Sequence, residues 1–381
     1  MKVPFSKPFF DAEDLEEILS NMRTVLTSGW LTSGKNVDAL EKDFAEIVGT
    51  RHAVALNSCT AALHSILLSL DLKPGDEVIV PSNTFVATAN AALYTGAKPV
   101  FADSDPETFN LSPEDVELKI SNKTKAIIAV HLAGNPCDMK QLSEIAQDHQ
   151  LSLVEDCAHA HGCKTQGKNC GTFGQAGAFS LYATKIITAG EGGMVTTDDE
   201  KIAQRIRRIR THGRGGVGPV ETTGLGYNYR LSDIHAVIGL SQLKHLPEFI
   251  AQRQQVARSY DSFLSHTSWT RPQLVRTGNL CSYYVYLLKI AEDAPLQRDE
   301  LAARLSEKGI GTSVLYYPVH TQPFYKDILD RDPSCPVAEE LGKRTIALPM
   351  YNGMSKDELD FVQQKWREIS ESKVEQFAGI N

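Results

Sequence analysis

The chain is predicted to fold as an α/β protein with a mainly parallel central sheet, and three observations predict it. Between residues 52 and 200, short β-branched or apolar runs alternate with stretches of helical periodicity, the signature of βαβ units. Hydrophobic residues make up 42% and charged ones 23%, close to the globular average, so neither disorder nor a fibrous repeat is indicated. At 381 residues the chain can bury a sizeable core and supply a second domain.

The runs that predict strands are residues 53–56, 77–80, 98–102, 126–130, 151–155, 176–180 and 194–197. After Ser58, Leu63, Ile66, Leu67 and Leu70 fall on one helical face and read as core. An early helix carries Leu15, Ile18, Leu19 and Met22 behind a cap at Asp11. A late one carries Leu359, Val362, Trp366 and Ile369, opened by Ser355 with Glu358 three residues on, a capping-box pattern. Between Leu243 and Arg253 a helical stretch is broken by Pro247, and the segments beyond alternate less regularly. The boundary is therefore placed there, with a large domain at 1–245 and a small one at 246–381. No internal repeat or low-complexity tract is evident.

A formal net charge of −8 argues against a nucleic-acid partner, which would need a basic excess or a dense basic patch. The one candidate patch, Arg205, Arg207, Arg208, Arg210 and Arg214, reads as a solvated helix face plus loop, with an anionic small molecule as the alternative. Met1 to Phe5 lack the apolar core of a signal peptide, and no apolar stretch approaches the roughly 20 residues needed to span a bilayer. The expectation is a cytoplasmic protein that does not engage a membrane. Seven cysteines at scattered spacings fit reduced thiols better than a disulfide framework. Cys157, His159, His161, Cys163 and Cys170 crowd together and raise zinc as a rival, yet none makes the paired C-x-x-C spacing of a structural site, so no metal is expected.

Lys185 closes the apolar run from Gly177 to Thr184 and is followed by Gly190-Glu191-Gly192-Gly193, a stretch too flexible for a helix or plain strand. A lysine forms an imine only as the neutral amine, so an imine-forming lysine calls for a desolvated setting or a nearby cation. A lone lysine is far more often a surface charge; the glycine run and the preceding strand are what single this one out. About thirty residues upstream, Asp156 ends a predicted buried strand, where open α/β sheets place ligand-binding groups. The plain alternative is an aspartate that caps the next helix. A lysine for an imine and an aspartate for a pyridinium nitrogen are the two parts that pyridoxal phosphate chemistry needs.

Asn57-Ser58-Cys59-Thr60 lies between a strand and a helix, so backbone N–H groups there would face the sheet's carboxyl edge as an anion site; an ordinary serine cap is the alternative. Phe85, after the next strand, stands where it would stack on a planar ring, although most such aromatics are core.

Together these segments resemble the DegT/DnrJ/EryC1/StrS sugar aminotransferases, which are fold type I pyridoxal phosphate enzymes with an aspartate-aminotransferase-like fold. The likeness runs over nearly the whole chain. It is carried by Ser28-Gly29-Trp30-Leu31-Thr32-Ser33-Gly34, the stretch from Ser58 to Leu63, that from Pro81 to Asn90, and Val130-His131-Leu132-Ala133-Gly134. The stretches from Glu155 to Gly162, from Phe179 to Lys185 with the glycine run, from Gly226 to Asp233, and Tyr317-Pro318-Val319-His320 complete it.

The resemblance implies roles residue by residue. Lys185 matches the imine lysine and proton shuttle, Asp156 the partner of the pyridinium nitrogen, and His159 the residue beside the cofactor's phenolic oxygen. Phe85 matches the ring-stacking aromatic. Ser180, with Ser58 and the backbone of Cys59 and Thr60, matches the phosphate cradle, and Asn228 the residue that reaches the phosphate of the neighbouring subunit, which implies a homodimer with shared active sites. Arg214, Tyr317 and His320 are candidates for the substrate pocket, each with a structural alternative. Three positions depart from the family pattern. Cys59 replaces a common glycine, so the backbone there must do without a positive φ or bear strain. Ala133 stands where an aromatic is frequent, and Ile186 follows the lysine where asparagine is frequent.

The implied activity moves an amino group from L-glutamate, by way of pyridoxamine 5'-phosphate, onto a nucleotide-linked keto-deoxysugar, with a 4-keto favoured over a 3-keto substrate. Polysaccharide or antibiotic-sugar biosynthesis would be the setting. A cyclitol ketone as acceptor and a non-catalytic binding protein of the same fold are the alternatives; Lys185 itself speaks against the latter. It also speaks against a sugar dehydratase, where histidine typically takes the lysine position.

Overall fold

Short runs that are buried on both faces build the centre of the molecule, as expected of strands covered by helices on either side. The structure, a computed structural model, describes residues 1–215, 221–329 and 333–378, with side chains through Ser370. In chain order the strands are β1 (His52–Leu56), β2 (Glu77–Pro81), β3 (Lys98–Ala102), β4 (Thr124–Val130), β5 (Ser152–Asp156), the small hairpin β6 (Lys164–Thr165) and β7 (Lys168–Asn169), β8 (Ala176–Ser180) and β9 (Gly193–Thr197). All but the hairpin form one seven-stranded sheet of order β1-β9-β8-β5-β4-β2-β3. Every neighbouring pair is parallel except those made by β9, which runs antiparallel to both β1 and β8. All seven expected sheet strands are present, and each boundary lies within two residues of its expected place.

Alternate residues of each strand feed different cores. Ala126, Ile128 and Val130 of β4 pack with Leu63, Ile66 and Leu67, while Ile127 and Ala129 pack with Val116, Met139 and Leu142 on the opposite face. The helices of this half are α1 (Ala12–Ser28), α2 (Lys35–Val48), α3 (Cys59–Ser69), α4 (Val86–Tyr94), α5 (Pro113–Lys119), α6 (Met139–Asp148), α7 (Glu200–Ile209) and α8 (Asp233–Lys244). Asp11 caps α1 by accepting from the Asp14 N–H at 2.7 Å. Its apolar stripe, however, is only partly core. Ile18 is buried, but Leu15 and Leu19 are exposed, because α1 meets α8 along one edge and none of the described residues covers the rest.

The helical break expected at Pro247 falls at His245. That residue ends α8, and α9 (Leu246–Leu264) restarts with the proline in its first turn, where a missing N–H costs nothing. Beyond it, β10 (Thr270–Pro272), β11 (Tyr286–Ile290) and β12 (Thr345–Leu348) form an antiparallel sheet, and α10 (Arg298–Glu307), α11 (Pro323–Ile328), α12 (Pro336–Arg344) and α13 (Lys356–Ala378) follow in the same half. The capping box at α13 is made in full: the Ser355 N–H donates to Glu358 Oε2 at 2.8 Å and the Glu358 N–H to Ser355 Oγ at 3.2 Å. Leu359, Val362, Trp366 and Ile369 are buried as expected, in a core shared with α9 and α10. Val3 lies in that same core and bridges Ile310, so the chain's first residues pack with its last third. Among the described residues no helix is long and apolar enough to cross a membrane.

Candidate active site

Because β1, β2, β5 and β8 run in one direction, the segments after Leu56, Pro81, Asp156 and Ser180 all emerge at the same edge of the sheet. The reversed β9 brings the glycine run to that edge too, since Gly193 lies opposite both Leu56 and Ser180. Only glycine fits there: a Cβ on Gly193 would sit 2.2 Å from the Ser58 carbonyl oxygen and 2.6 Å from the Cys59 nitrogen. α3 starts against this contact, with Ser58 Oγ accepting from the Ala61 N–H at 3.1 Å. Cys59 opens the helix without a positive φ, so its replacement of glycine carries no strain.

The result is a cavity of about 340 Å³ lined by Ser58, Cys59, Thr60, Phe85, Asp156, His159, Ser180 and Lys185, all eight named from sequence. Asp156 is buried at its floor. Thr88 Oγ1 donates to its Oδ2 at 2.8 Å and the Ala158 N–H to its Oδ1 at 3.1 Å. Burial pushes this carboxyl above the usual aspartate value, against the lowering effect of those two hydrogen bonds and of Lys185 and His131. Phe85 caps α4 and stays 56% exposed, its ring tilted toward Tyr316 at 5.7 Å. The Lys185 amine stands over the Tyr284 ring, 4.4 Å from its centre.

His159 is buried and stacked on Tyr284 at 4.3 Å. Burial, reinforced by Lys185 and His161, holds its pKa well below the histidine norm, so the ring is neutral. Its Nδ1 accepts from the Ala133 N–H at 3.3 Å, which leaves the proton on Nε2, 3.2 Å from the Tyr316 hydroxyl oxygen. Both nitrogens are thus engaged within the protein.

Three expected pocket residues lie elsewhere. His320 is buried beneath the sheet edge, its Nδ1 against Ser82 Oγ and its Nε2 3.5 Å from Glu339, so it is a structural histidine. Tyr317 is exposed, with the Arg298 guanidinium over its ring, because neighbouring side chains of an extended segment point to opposite sides and Tyr316 takes the inward one. Arg214 is exposed outside the cavity, in a backbone bridge to Thr222. Asn228 also lies outside it and is exposed; the Asn57 N–H donates to the carbonyl of the next residue, Tyr229, at 2.9 Å and ties the segment to the start of the cradle. Of the arginine patch, Arg205 pairs with Asp71, while Arg210 is half-buried and donates to Glu41 and to the Ala55 carbonyl, so the patch is not uniformly solvated.

Sequence reasoning missed Thr88, Tyr284 and Tyr316. Thr88 had a local signal, one turn into the helix that Phe85 caps and four residues after Thr84, whose hydroxyl it meets at 2.9 Å. The two tyrosines had none, because they arrive from the C-terminal half through tertiary contacts. The five zinc candidates do not converge on one point among the described residues. Both nitrogens of His159 are engaged, the Cys163 thiol faces Cys170 at 2.7 Å, and Cys157 groups instead with His131 and Glu155. His131 is itself committed, its Nδ1 to the Cys137 N–H and its Nε2 to Glu155. Chemically, the cavity offers helix N–H groups for an anion, an aromatic face, a buried carboxylate for a cation and a primary amine for a carbonyl.

Comparison with known proteins matches residues 12–367 to the DegT/DnrJ/EryC1/StrS aminotransferase family. The spore coat polysaccharide biosynthesis protein SpsC of Bacillus subtilis is 38% identical over 96% of this chain and 97% of its own length. The GDP-perosamine synthase of Escherichia coli O157:H7 is 37% identical over 97% and 99% respectively. Among solved structures, the PLP-form of the putative sugar aminotransferase Spr1654 from Streptococcus pneumoniae superposes with a TM-score of 0.90 at 30% identity, covering 98% of this chain and 99% of that one.

Proposed function

The chain belongs to the DegT/DnrJ/EryC1/StrS aminotransferase family, and we propose that it transfers an amino group from L-glutamate to the keto carbon of a nucleotide-linked deoxysugar, with the 4-keto position the first to test. One observation carries the reading. A buried carboxylate with two hydrogen-bond donors among the described residues, Asp156, shares a cavity with the Lys185 amine, an exposed aromatic face and the open start of α3.

That donor set fits pyridoxal 5'-phosphate. The start of α3 from Ser58 through Thr60, with Ser180, would hold its phosphate, Phe85 would cover one ring face, and Asp156 would face the ring nitrogen. The cofactor, once bound, supplies an aldehyde for amine exchange and a cationic ring that takes up carbanion charge. Asp156 would support this by presenting its carboxylate from a buried position. Thr88 and the Ala158 N–H keep the carboxylate aimed at the cavity. The Lys185 amine would take the proton from the amino donor's carbon and return it to the sugar carbon. His159 fixes the Tyr316 hydroxyl at 3.2 Å on the wall of the cavity that would hold the cofactor.

The second half of the site is proposed to come from a second copy of the chain. Leu15, Leu19, Leu26, Trp30 and Leu31 stay exposed on and after α1, a patch too apolar for a solvated surface. Asn228 is exposed and does not line its own cavity, and it would reach the phosphate of a partner's site. Residues from 246 onward, joined by the segment around Val3, would form the small domain that closes on the cavity through Tyr284 and Tyr316.

The test is a panel of nucleotide-linked 4-keto and 3-keto sugars and a cyclitol ketone, each incubated with the loaded protein and L-glutamate, with 2-oxoglutarate and the aminated product measured by mass. Amination of a nucleotide ketosugar is expected. Turnover of the cyclitol ketone alone would reassign the substrate class.

A further inference from the structure

Arg253 of α9 is 2% exposed, yet among the described residues no carboxylate pairs with it. Its Nε donates to Asn352 Oδ1 at 2.7 Å, and its Nη1 to the carbonyls of Tyr283 and Tyr284, both at 3.0 Å. Asn352, itself buried, passes the link on: its Nδ2 donates to the Ile186 carbonyl at 2.8 Å. The two arms therefore end on either side of one amine. One grips the turn just after Lys185, and the other holds the backbone of Tyr284, whose ring lies under the Lys185 amine and whose hydroxyl meets Thr184 Oγ1 at 3.1 Å.

Burying a guanidinium against carbonyls alone is a poor way to gain stability, since apolar residues of similar size commonly do as well. What apolar residues cannot supply is a rigid planar fork that fixes several acceptors at once. We propose that Arg253 and Asn352 are positioning residues that set where the Lys185 amine can reach, by clamping the Ile186 turn and the Tyr284 ring to one guanidinium. The inference rests on the reading of Lys185 as the cofactor-bearing amine. It also accounts for Ile186: with Asn352 reaching the main-chain carbonyl from the far side, the side chain that follows the lysine is free to be buried and apolar.

The groups that face Lys185 are Asp156 from β5, Cys59 from α3, His159 and His161 from the turn after β5, and the Tyr284 ring. Both test substitutions keep these side chains in place, although Arg253 itself bears on two of them, through its charge on His161 and its Nη1 on the Tyr284 carbonyl. Asn352→Asp keeps an acceptor for Arg253 and adds its missing counter-charge, but removes the donor to Ile186. Arg253→Lys keeps the charge and removes the fork. Three readouts are compared with wild type: thermal midpoint, pH titration of the absorbance of the lysine-bound cofactor, and the rate of Lys185 acylation in the cofactor-free protein, read by peptide mass against other lysines. For Asn352→Asp the midpoint is expected to hold, while the absorbance pKa moves, Lys185 acylation changes about threefold or more, and kcat falls about tenfold with KM for the sugar unchanged. Arg253→Lys is expected to move the same readouts further. Unaltered absorbance pKa and acylation in both variants, with only the midpoint shifted, would overturn the proposal and leave a purely structural brace. A wild type whose cofactor attaches to another lysine would instead defeat the functional reading, and the acylation rates would still report on the brace.

Discussion

The two faces of β5 bury one carboxylate each, and the neighbours could hardly be treated more differently. Glu155 accepts four hydrogen bonds: the Gly171 N–H at 2.7 Å and His131 Nε2 at 3.1 Å on one oxygen, the Phe173 and Gly174 N–H groups at 2.7 and 3.0 Å on the other. Asp156, on the opposite face, accepts two and opens onto the cavity. A saturated carboxylate is finished: it holds the loop from Gly171 to Gly174 in place and has no lone pair left to offer. An under-supplied one keeps lone pairs open to a positively charged group in the cavity. Satisfaction, where burial does not, separates the structural acid from the one proposed to serve the cofactor.

Substitutions at the two positions should divide activity from stability. Asp156→Asn is expected to lower amino transfer on the order of 10³-fold, since a preorganised charge opposite the reacting system is lost, while cofactor-free stability at neutral pH does not fall. The sign follows from burial. Its folded-state pKa is raised, so the stability Asp156 contributes is full below the ordinary aspartate value and is lost as pH rises through the raised one. Denaturant titrations of the cofactor-free protein across that window should slope downward for the wild type and less so for Asp156→Asn. A neutral-pH stability loss in Asp156→Asn would break the comparison.

Glu155→Gln should do the reverse. Its amide places donors against backbone N–H groups, which costs about 3 kcal/mol; urea melts should show the loss, and kcat per folded molecule should stay within a few-fold. The smallest effect is expected from Thr88→Val, which deletes one of the two donors to Asp156. Cofactor affinity, read by absorbance titration, should weaken about tenfold, the worth of one hydrogen bond to a charge. Thr88→Ser should restore it; if it does not, the hydroxyl is not what aims Asp156.

Much of this arrangement is legible in the sequence, for physical reasons that differ by element. The seven sheet strands read clearly because strands covered on both faces are short continuous apolar runs between turn residues. The reversal of β9 was not legible, since such a run has no direction; the hint was the segment between Ser180 and Gly193, which carries no crossover helix of its own. Residues at strand ends, such as Asp156, Ser58 and Phe85, could be placed at one edge from topology alone. Tyr316 could not be told from Tyr317, because the choice depends on a hydrogen bond from the Tyr316 N–H to Asn83 Oδ1, 3.1 Å long and far away in sequence. The stripe on α1 shows a further limit. Periodicity reports that Leu15 and Leu19 share a face with Ile18 but not what covers them, and among the described residues of one protomer nothing does.

The central claim is that the Lys185 amine and the Asp156 carboxylate hold one cofactor between them, and borohydride reduction of the pyridoxal phosphate-loaded protein followed by peptide mass mapping tests it most directly. The account predicts a yellow protein whose reduced adduct falls on the peptide containing Lys185 alone, with the loading weakened in Asp156→Asn. A colourless protein, or an adduct on any other lysine, would contradict it.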